Sequence, residues 1–112
     1  MSDLANKICI SQEHGSPTLS QQEAEQYIKQ LTSDWLLSDD NKSISCTYRF
    51  NNYYETMAFV NVVAMVAHQQ NHHPNMAVSY NTCNVKYSTH SIGGLSINDF
   101  ICAAKIDTTL EI

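Results

Sequence analysis

Histidine is the side chain whose charge changes near neutral pH, so several of them together suit proton transfer or metal binding. The stretch His68-Gln69-Gln70-Asn71-His72-His73-Pro74 gathers three of the chain's five histidines, and His90 follows within reach of a hairpin. The chain has few special residues elsewhere, so its chemistry is expected here. His68 and His72 are spaced i and i+4, which places them on one helix face. Asp99 could point a carboxylate at these histidines.

The elements that must position these groups follow from patterning. Ser20-Gln21-Gln22-Glu23 matches a capping box, with Leu19 and Ala24 as its hydrophobic staple. Ala24, Tyr27, Ile28 and Leu31 mark one face of a first helix expected to end near Thr32. A strand begins at Trp35-Leu36-Leu37, and Asp39-Asp40-Asn41-Lys42 is turn chemistry. Ile44, Cys46, Tyr48 and Phe50 then alternate with polar residues, the period of a strand with one buried face. Every residue from Met57 to Ala67 except Asn61 is apolar, within a helix expected from about Tyr53 to Asn71. A helix apolar nearly all round needs more than one sheet face to cover it, which argues for a homo-oligomer. Pro74 disfavours helix at His73, so this helix stops at Asn71 or His72.

Two strands, 76–80 and 85–89, are expected around a turn at Asn81-Thr82-Cys83-Asn84. A turn centred on Thr82-Cys83 pairs Tyr80 with Val85, Val78 with Tyr87 and Asn75 with His90. Facing residues lie about 5 Å apart, so His90 is brought beside His73 and Pro74. Ser96-Ile97-Asn98-Asp99 is a second capping box, opening a helix with Ile97, Phe100, Ile101 and Ala104 inward. The order α-β-β-α-β-β-α implies an α+β fold: a four-stranded antiparallel sheet with helices packed on one face.

Composition narrows the functions available. The chain has 112 residues, a formal net charge of -5 and 15% charged residues. That is one domain, without the basic surface that nucleic acid or an anionic membrane would attract. Residues 1–17 are polar and read as a loose arm in which His14 is solvated and idle, leaving 18–112 as the domain. The opening Met1-Ser2-Asp3-Leu4-Ala5-Asn6-Lys7 lacks a basic segment followed by an apolar run, so no signal peptide is expected. Cys9, Cys46, Cys83 and Cys102 form no C-x-x-C pair and read as reduced thiols of a soluble cytoplasmic protein.

Each residue also has a plainer role. His68 fits a helix surface, His72 and His73 a polar helix end, His90 an ordinary strand position, and Tyr80 a packed strand aromatic. Asp99 serves the capping box whatever else it does. A zinc site from His68, His72 and His90 is the first rival chemistry. However, Gln69 stands where the H-E-x-x-H pattern has its glutamate, and no cysteine pair lies nearby.

Taken together, His68, His72-His73-Pro74, Tyr80, His90 and Asp99, at these intervals, resemble the pterin-4a-carbinolamine dehydratases. In animals that family is also known as the dimerisation cofactor of a homeodomain transcription factor. Ser88-Thr89-His90, Gly94-Leu95-Ser96 and Trp35 after the first helix add to the likeness, which covers about residues 18–108. The resemblance implies a hydro-lyase that dehydrates 4a-hydroxytetrahydropterin to quinonoid dihydropterin and water. This recycles the pterin of aromatic amino acid hydroxylases, one of which is a possible partner. By carry-over His72, His73 and His90 are the catalytic set, with His72 and His90 as acid/base groups and His73 mainly holding the pterin. Asp99 and His68 support them, and Ser88, Thr89 and Ser91 join the three histidines in binding the ring. Many relatives carry a carboxylate where this chain has His68. A homodimer or homotetramer is implied, and neither a metal nor a bound cofactor. The alternative is a non-enzymatic, dimer-stabilising or regulatory module on the same fold, since function resides in the site rather than the scaffold.

Overall fold

A computed structural model describes residues 3–110. Met1 and Ser2 of the expected arm, and Glu111 and Ile112 of the expected domain, lie outside the described residues. Three helices, α1 (Gln21–Ile28), α2 (Tyr53–Gln70) and α3 (Ile97–Thr109), accompany four strands, β1 (Leu36–Leu37), β2 (Ile44–Arg49), β3 (Asn75–Val78) and β4 (Thr82–Tyr87). The strands form one antiparallel sheet in the order β1-β2-β4-β3. The fold is the α+β arrangement expected from patterning. Ile44, Cys46 and Tyr48 of β2 and Cys83, Val85 and Tyr87 of β4 all point into the core. Phe59 and Val63 of α2 and Phe100, Ile101 and Ile106 of α3 join them there.

Both helix starts follow their capping boxes. Ser20 and Glu23 exchange side-chain bonds with each other's backbone, as do Ser96 and Asp99. Helix α1 ends at Ile28, short of the expected Thr32, although hydrogen-bonded turns carry the chain to Leu31. The reason lies in α3: the buried Asp107 carboxylate accepts from the backbone N–H groups of both Thr32 and Ser33, which pulls that segment out of the helix. The same carboxylate accepts from the Trp35 indole and the Tyr48 hydroxyl. Helix α2 ends in a left-handed residue, Asn71, at φ 51° and ψ 44°. Asparagine tolerates that conformation better than most side chains.

The second hairpin differs from the sequence expectation. Asn75 pairs with Lys86 and Val78 with Cys83, so Asn75 faces a residue four positions before His90. The turn is made by Ser79, Tyr80 and Asn81, and Thr82 already lies in β4. Burial decides this register. Cys83, fully buried, continues the inward row of Val85 and Tyr87, whereas a turn at Cys83 would leave that core position empty. The turn is fastened from below by the Thr56 hydroxyl, which donates to the Tyr80 carbonyl at 2.9 Å. Tyr80 is therefore an exposed turn residue stacked on Tyr53, not a packed strand aromatic.

The segment from Asp3 to Pro17 is also not the loose arm expected. Leu4 is buried against the core, and Lys105 of α3 donates to the Ala5 carbonyl at 2.8 Å. Further on, the Asn98 side chain clasps Ile10, accepting from its N–H at 3.1 Å and donating to its carbonyl at 2.7 Å. His14 Nδ1 donates to the Ser91 carbonyl at 3.1 Å, so it is exposed but not idle. A polar segment docks here because α3 and its preceding loop offer side chains to its backbone.

Candidate functional site

His72 follows the left-handed Asn71, and its backbone N–H returns to the Ala67 carbonyl at 3.1 Å. That bond turns the chain back across the end of α2 and points the imidazole inward. The ring stacks on Tyr87, centroids 5.3 Å apart and planes 17° apart. Its Nε2 lies 2.6 Å from Asp99 Oδ1, with the His72 side chain 13% exposed and that of Asp99 fully buried. A carboxylate only accepts, so Nε2 carries the proton in this pair. Nδ1 makes no hydrogen bond among the described residues, which leaves it as the ring nitrogen available for chemistry.

Asp99 is held on every side. Its Oδ2 accepts from the Ser96 N–H at 3.0 Å and from the Thr89 hydroxyl at 2.9 Å. With its proton given to Asp99, the Thr89 hydroxyl accepts from Ser96 Oγ at 2.8 Å. One carboxylate thus serves the α3 capping box and the imidazole together. Such a fixed acceptor locks a histidine's tautomer and ring orientation. The loop carrying Thr89 is closed by a bond from the Thr89 N–H to the Gly94 carbonyl and by the Ile92, Gly93 and Gly94 N–H groups, which donate to the Thr89 carbonyl. Gly93 sits at φ +71°, a conformation glycine adopts without strain.

His72 and Thr89 open onto a cleft of about 340 Å³, with Gln70 and Asn98 on its sides and Cys9 to Gln12 of the docked arm forming its remaining wall. The other expected residues are distributed around it. Ser91 lines the cleft, but its hydroxyl donates to the Gln12 carbonyl at 2.9 Å and so holds the arm. His90 occupies a 3-10 turn (His90–Ile92) past the end of β4, exposed and adjacent in sequence to Thr89. His73 is exposed beyond His72, and His68 is exposed in the last turn of α2. Among the described residues, the side chains of His68, His73 and His90 make no hydrogen bond. The four-residue register difference is what removes His90 from its expected place opposite Asn75. Ser88 is half-buried and not part of the cleft lining.

Sequence reasoning missed the arm, Gln70 and Asn98 as parts of this site. Asn98 offered one signal, an amide next to Asp99 in the first turn of a largely buried helix; Gln70 and the arm offered none. Among the described residues, no three His, Cys, Asp or Glu side chains gather to hold a metal, and no helix is long and apolar enough to cross a membrane.

Comparison with known proteins gives a consistent result. Residues 17–109 match the family described as pterin 4 alpha carbinolamine dehydratase. A protein of Nitrosomonas eutropha named "Putative pterin-4-alpha-carbinolamine dehydratase" is 57% identical over 96% of this chain and 94% of its own. One of the same name from Legionella pneumophila is 46% identical over 97% of this chain and 96% of its own. Among solved structures, a "transcriptional coactivator/pterin dehydratase" from Brucella melitensis aligns with a TM-score of 0.77 at 25% identity, covering 82% of this chain and 97% of that one. A "pterin dehydratase-like protein", described as a RuBisCO assembly factor in the alpha-carboxysome, aligns with a TM-score of 0.61 at 20% identity over 71% of this chain and 92% of that one, which is a likeness of fold.

Proposed function

The chain belongs to the pterin 4 alpha carbinolamine dehydratase family, and on that premise we propose that it removes water from 4a-hydroxytetrahydropterin by histidine acid/base catalysis. The observation that carries this reading is the His72–Asp99 pair at 2.6 Å, with its carboxylate fully buried and its imidazole opening onto a cleft.

The chemistry needs two proton movements. The hydroxyl on C4a leaves as water only when it gains a proton, and the N5 proton must depart as the C4a=N5 double bond forms. In this reading His72, bound to Asp99 through Nε2, is the acid and gives a proton from Nδ1 to the departing oxygen. A base on the other side takes the N5 proton, and His90, exposed and next to Thr89 in sequence, is assigned that role. His73 and the loop residues Ser88, Thr89 and Ser91 contribute to holding the ring, and His68 adds polar support. The quinonoid dihydropterin so formed re-enters the cycle of an aromatic amino acid hydroxylase.

The exposed face of α2, which includes Tyr54 and Met65, and the exposed edge strand β3 supply surfaces for a homodimer or homotetramer. Four free thiols suit a reducing, cytoplasmic setting. The test is turnover of 4a-hydroxytetrahydropterin, generated by a hydroxylase, with wild type, His72→Ala and His90→Ala. A wild type well above buffer, with both variants folded but at least tenfold slower, supports the reading. A wild type no faster than buffer overturns it in favour of a non-enzymatic binding module, the kind of role that the alpha-carboxysome protein's title gives to that protein.

A further inference from the structure

Cys9 and Cys102 stand 93 positions apart in sequence, yet their sulfurs meet at 3.6 Å across the seam between the arm and α3. Both are free thiols. Cys9 is half-buried and lines the cleft, where a small solute can reach it. Cys102 is fully buried one helical turn after Asp99, and among the described residues its sulfur meets that of Cys9. We propose that this pair is an oxidative modification site for small hydroperoxides, with Cys9 as the attacking thiol and Cys102 as the resolving one.

The surroundings divide the two roles. A hydrogen bond from Cys102 holds Cys9 below the ordinary cysteine range, with help from positive charge at His72 and Lys105 and against the effect of burial. That same hydrogen bond, together with burial, pushes Cys102 well up. Cys9, on the cleft and with the lowered pKa, is the more readily ionised of the two, and a thiolate is the nucleophile. Its sulfur attacks the terminal oxygen of the hydroperoxide and the O–O bond breaks. The alkoxide takes a proton and leaves as an alcohol, or as water from hydrogen peroxide, leaving Cys9 as a sulfenic acid. The Cys102 sulfur then attacks that of Cys9. The S–O bond breaks, and hydroxide departs as water with the Cys102 proton. Two thiols lose two electrons and one hydroperoxide gains them. A disulfide requires sulfurs about 2.0 Å apart, so the seam must tighten by about 1.5 Å. That approach falls to the Cys9 side chain, since the backbone at Cys9 and Ile10 is held by Gln70 and Asn98.

The test is direct and makes no assumption about the reaction in the cleft. Full-length reduced protein is exposed to equimolar hydrogen peroxide, remaining thiols are alkylated, and peptides are mapped without reductant. The expected result is a single Cys9–Cys102 cross-linked peptide, with Cys46 and Cys83 alkylated and the link removed by dithiothreitol. Cys102→Ala is expected to leave a sulfenic acid on Cys9 that a cyclic 1,3-dione traps. Cross-links through Cys46 or Cys83, or a wild type that consumes peroxide without forming the Cys9–Cys102 link, overturn the proposal. So does a wild type that keeps all its thiols. Mapping the wild type decides the matter even where the variant fails to fold.

Discussion

Replacing Asp99 by asparagine should separate the stability of this protein from its activity. The carboxylate accepts from Ser96 and Thr89 on one oxygen and from His72 on the other. An amide has one acceptor and one donor end, and its orientation is dictated. Turning its NH2 toward the fixed Ser96 N–H would oppose two donors, so the oxygen stays there and the NH2 faces His72. His72 must then accept through Nε2 and carry its proton on Nδ1, the reverse of the wild-type tautomer. Three charge-assisted bonds become neutral, a loss of about 1 kcal/mol each, partly offset because a buried amide is less costly than a buried carboxylate. We expect a net destabilisation of about 1–3 kcal/mol. For activity, a cationic His72 would face an N–H instead of a carboxylate, and about 3–5 kcal/mol of lost support corresponds to a fall in kcat of about 10²–10⁴. The assay is hydroxylase-coupled turnover with urea unfolding alongside, and ¹⁵N shifts of the His72 ring report the tautomer. A variant within threefold of wild-type kcat that shows the reversed tautomer would refute the assignment of His72. An unchanged tautomer would refute the orientation argument itself.

Three further outcomes follow from the packing. Asp107→Asn should lower stability by about 2–4 kcal/mol, because an NH2 replaces an oxygen that accepts either from Thr32 and Ser33 or from Tyr48, while the Trp35 indole N–H lies against both positions; a change in urea midpoint worth under 1 kcal/mol would contradict this. At pH 8 in the native state iodoacetamide should label Cys9 first, because the hydrogen bond from Cys102 lowers its pKa and so raises its thiolate fraction, whereas burial pushes Cys46 up to about 11. Equal labelling rates for the two would count against that order. A Cβ at Gly94 would stand 2.7 Å from Thr18 Cγ2, so Gly94→Ala should cost about 1–3 kcal/mol. Adding Thr18→Ser should recover at least half, and an absence of recovery in thermal unfolding would place the strain elsewhere.

What could be read from the sequence was what local chemistry decides. Ser20–Glu23 and Ser96–Asp99 announced two helices because a capping box satisfies its donors within four residues. The alternation from Ile44 to Phe50 marked β2, and Pro74 bounded α2 correctly. The hairpin was harder, because Asn81 and Asn84 are equally good turn residues. Only the need to bury Cys83 in line with Val85 and Tyr87 chooses between them, and that is a property of the assembled core. The alternation of Cys83, Val85 and Tyr87 was visible and could have corrected the register. The arm offered no comparable pattern. Its docking rests on Leu4 and on amide side chains from α2 and α3 reaching its backbone, and such contacts leave no periodicity behind. The candidate site was therefore half legible: His72 and Asp99 were named from the chain, while the wall facing them was not.

The cleft draws its walls from residues 9–12, 70–72, 89, 91 and 98, with Asp99 behind them, so the arm and α3 must both arrive before it exists. On the ribosome the N-terminal wall emerges first and waits through most of synthesis for the helix it will rest on. Until α3 has cleared the exit tunnel, His72 has no carboxylate and Ile10 has no amide to clasp. Synthesis proceeds at about 5–20 residues per second, so the pocket closes only once α3 follows, after β2 and β4 have both become available to pair. A chain made only as far as the end of β4 thus carries the strands of the sheet without the site.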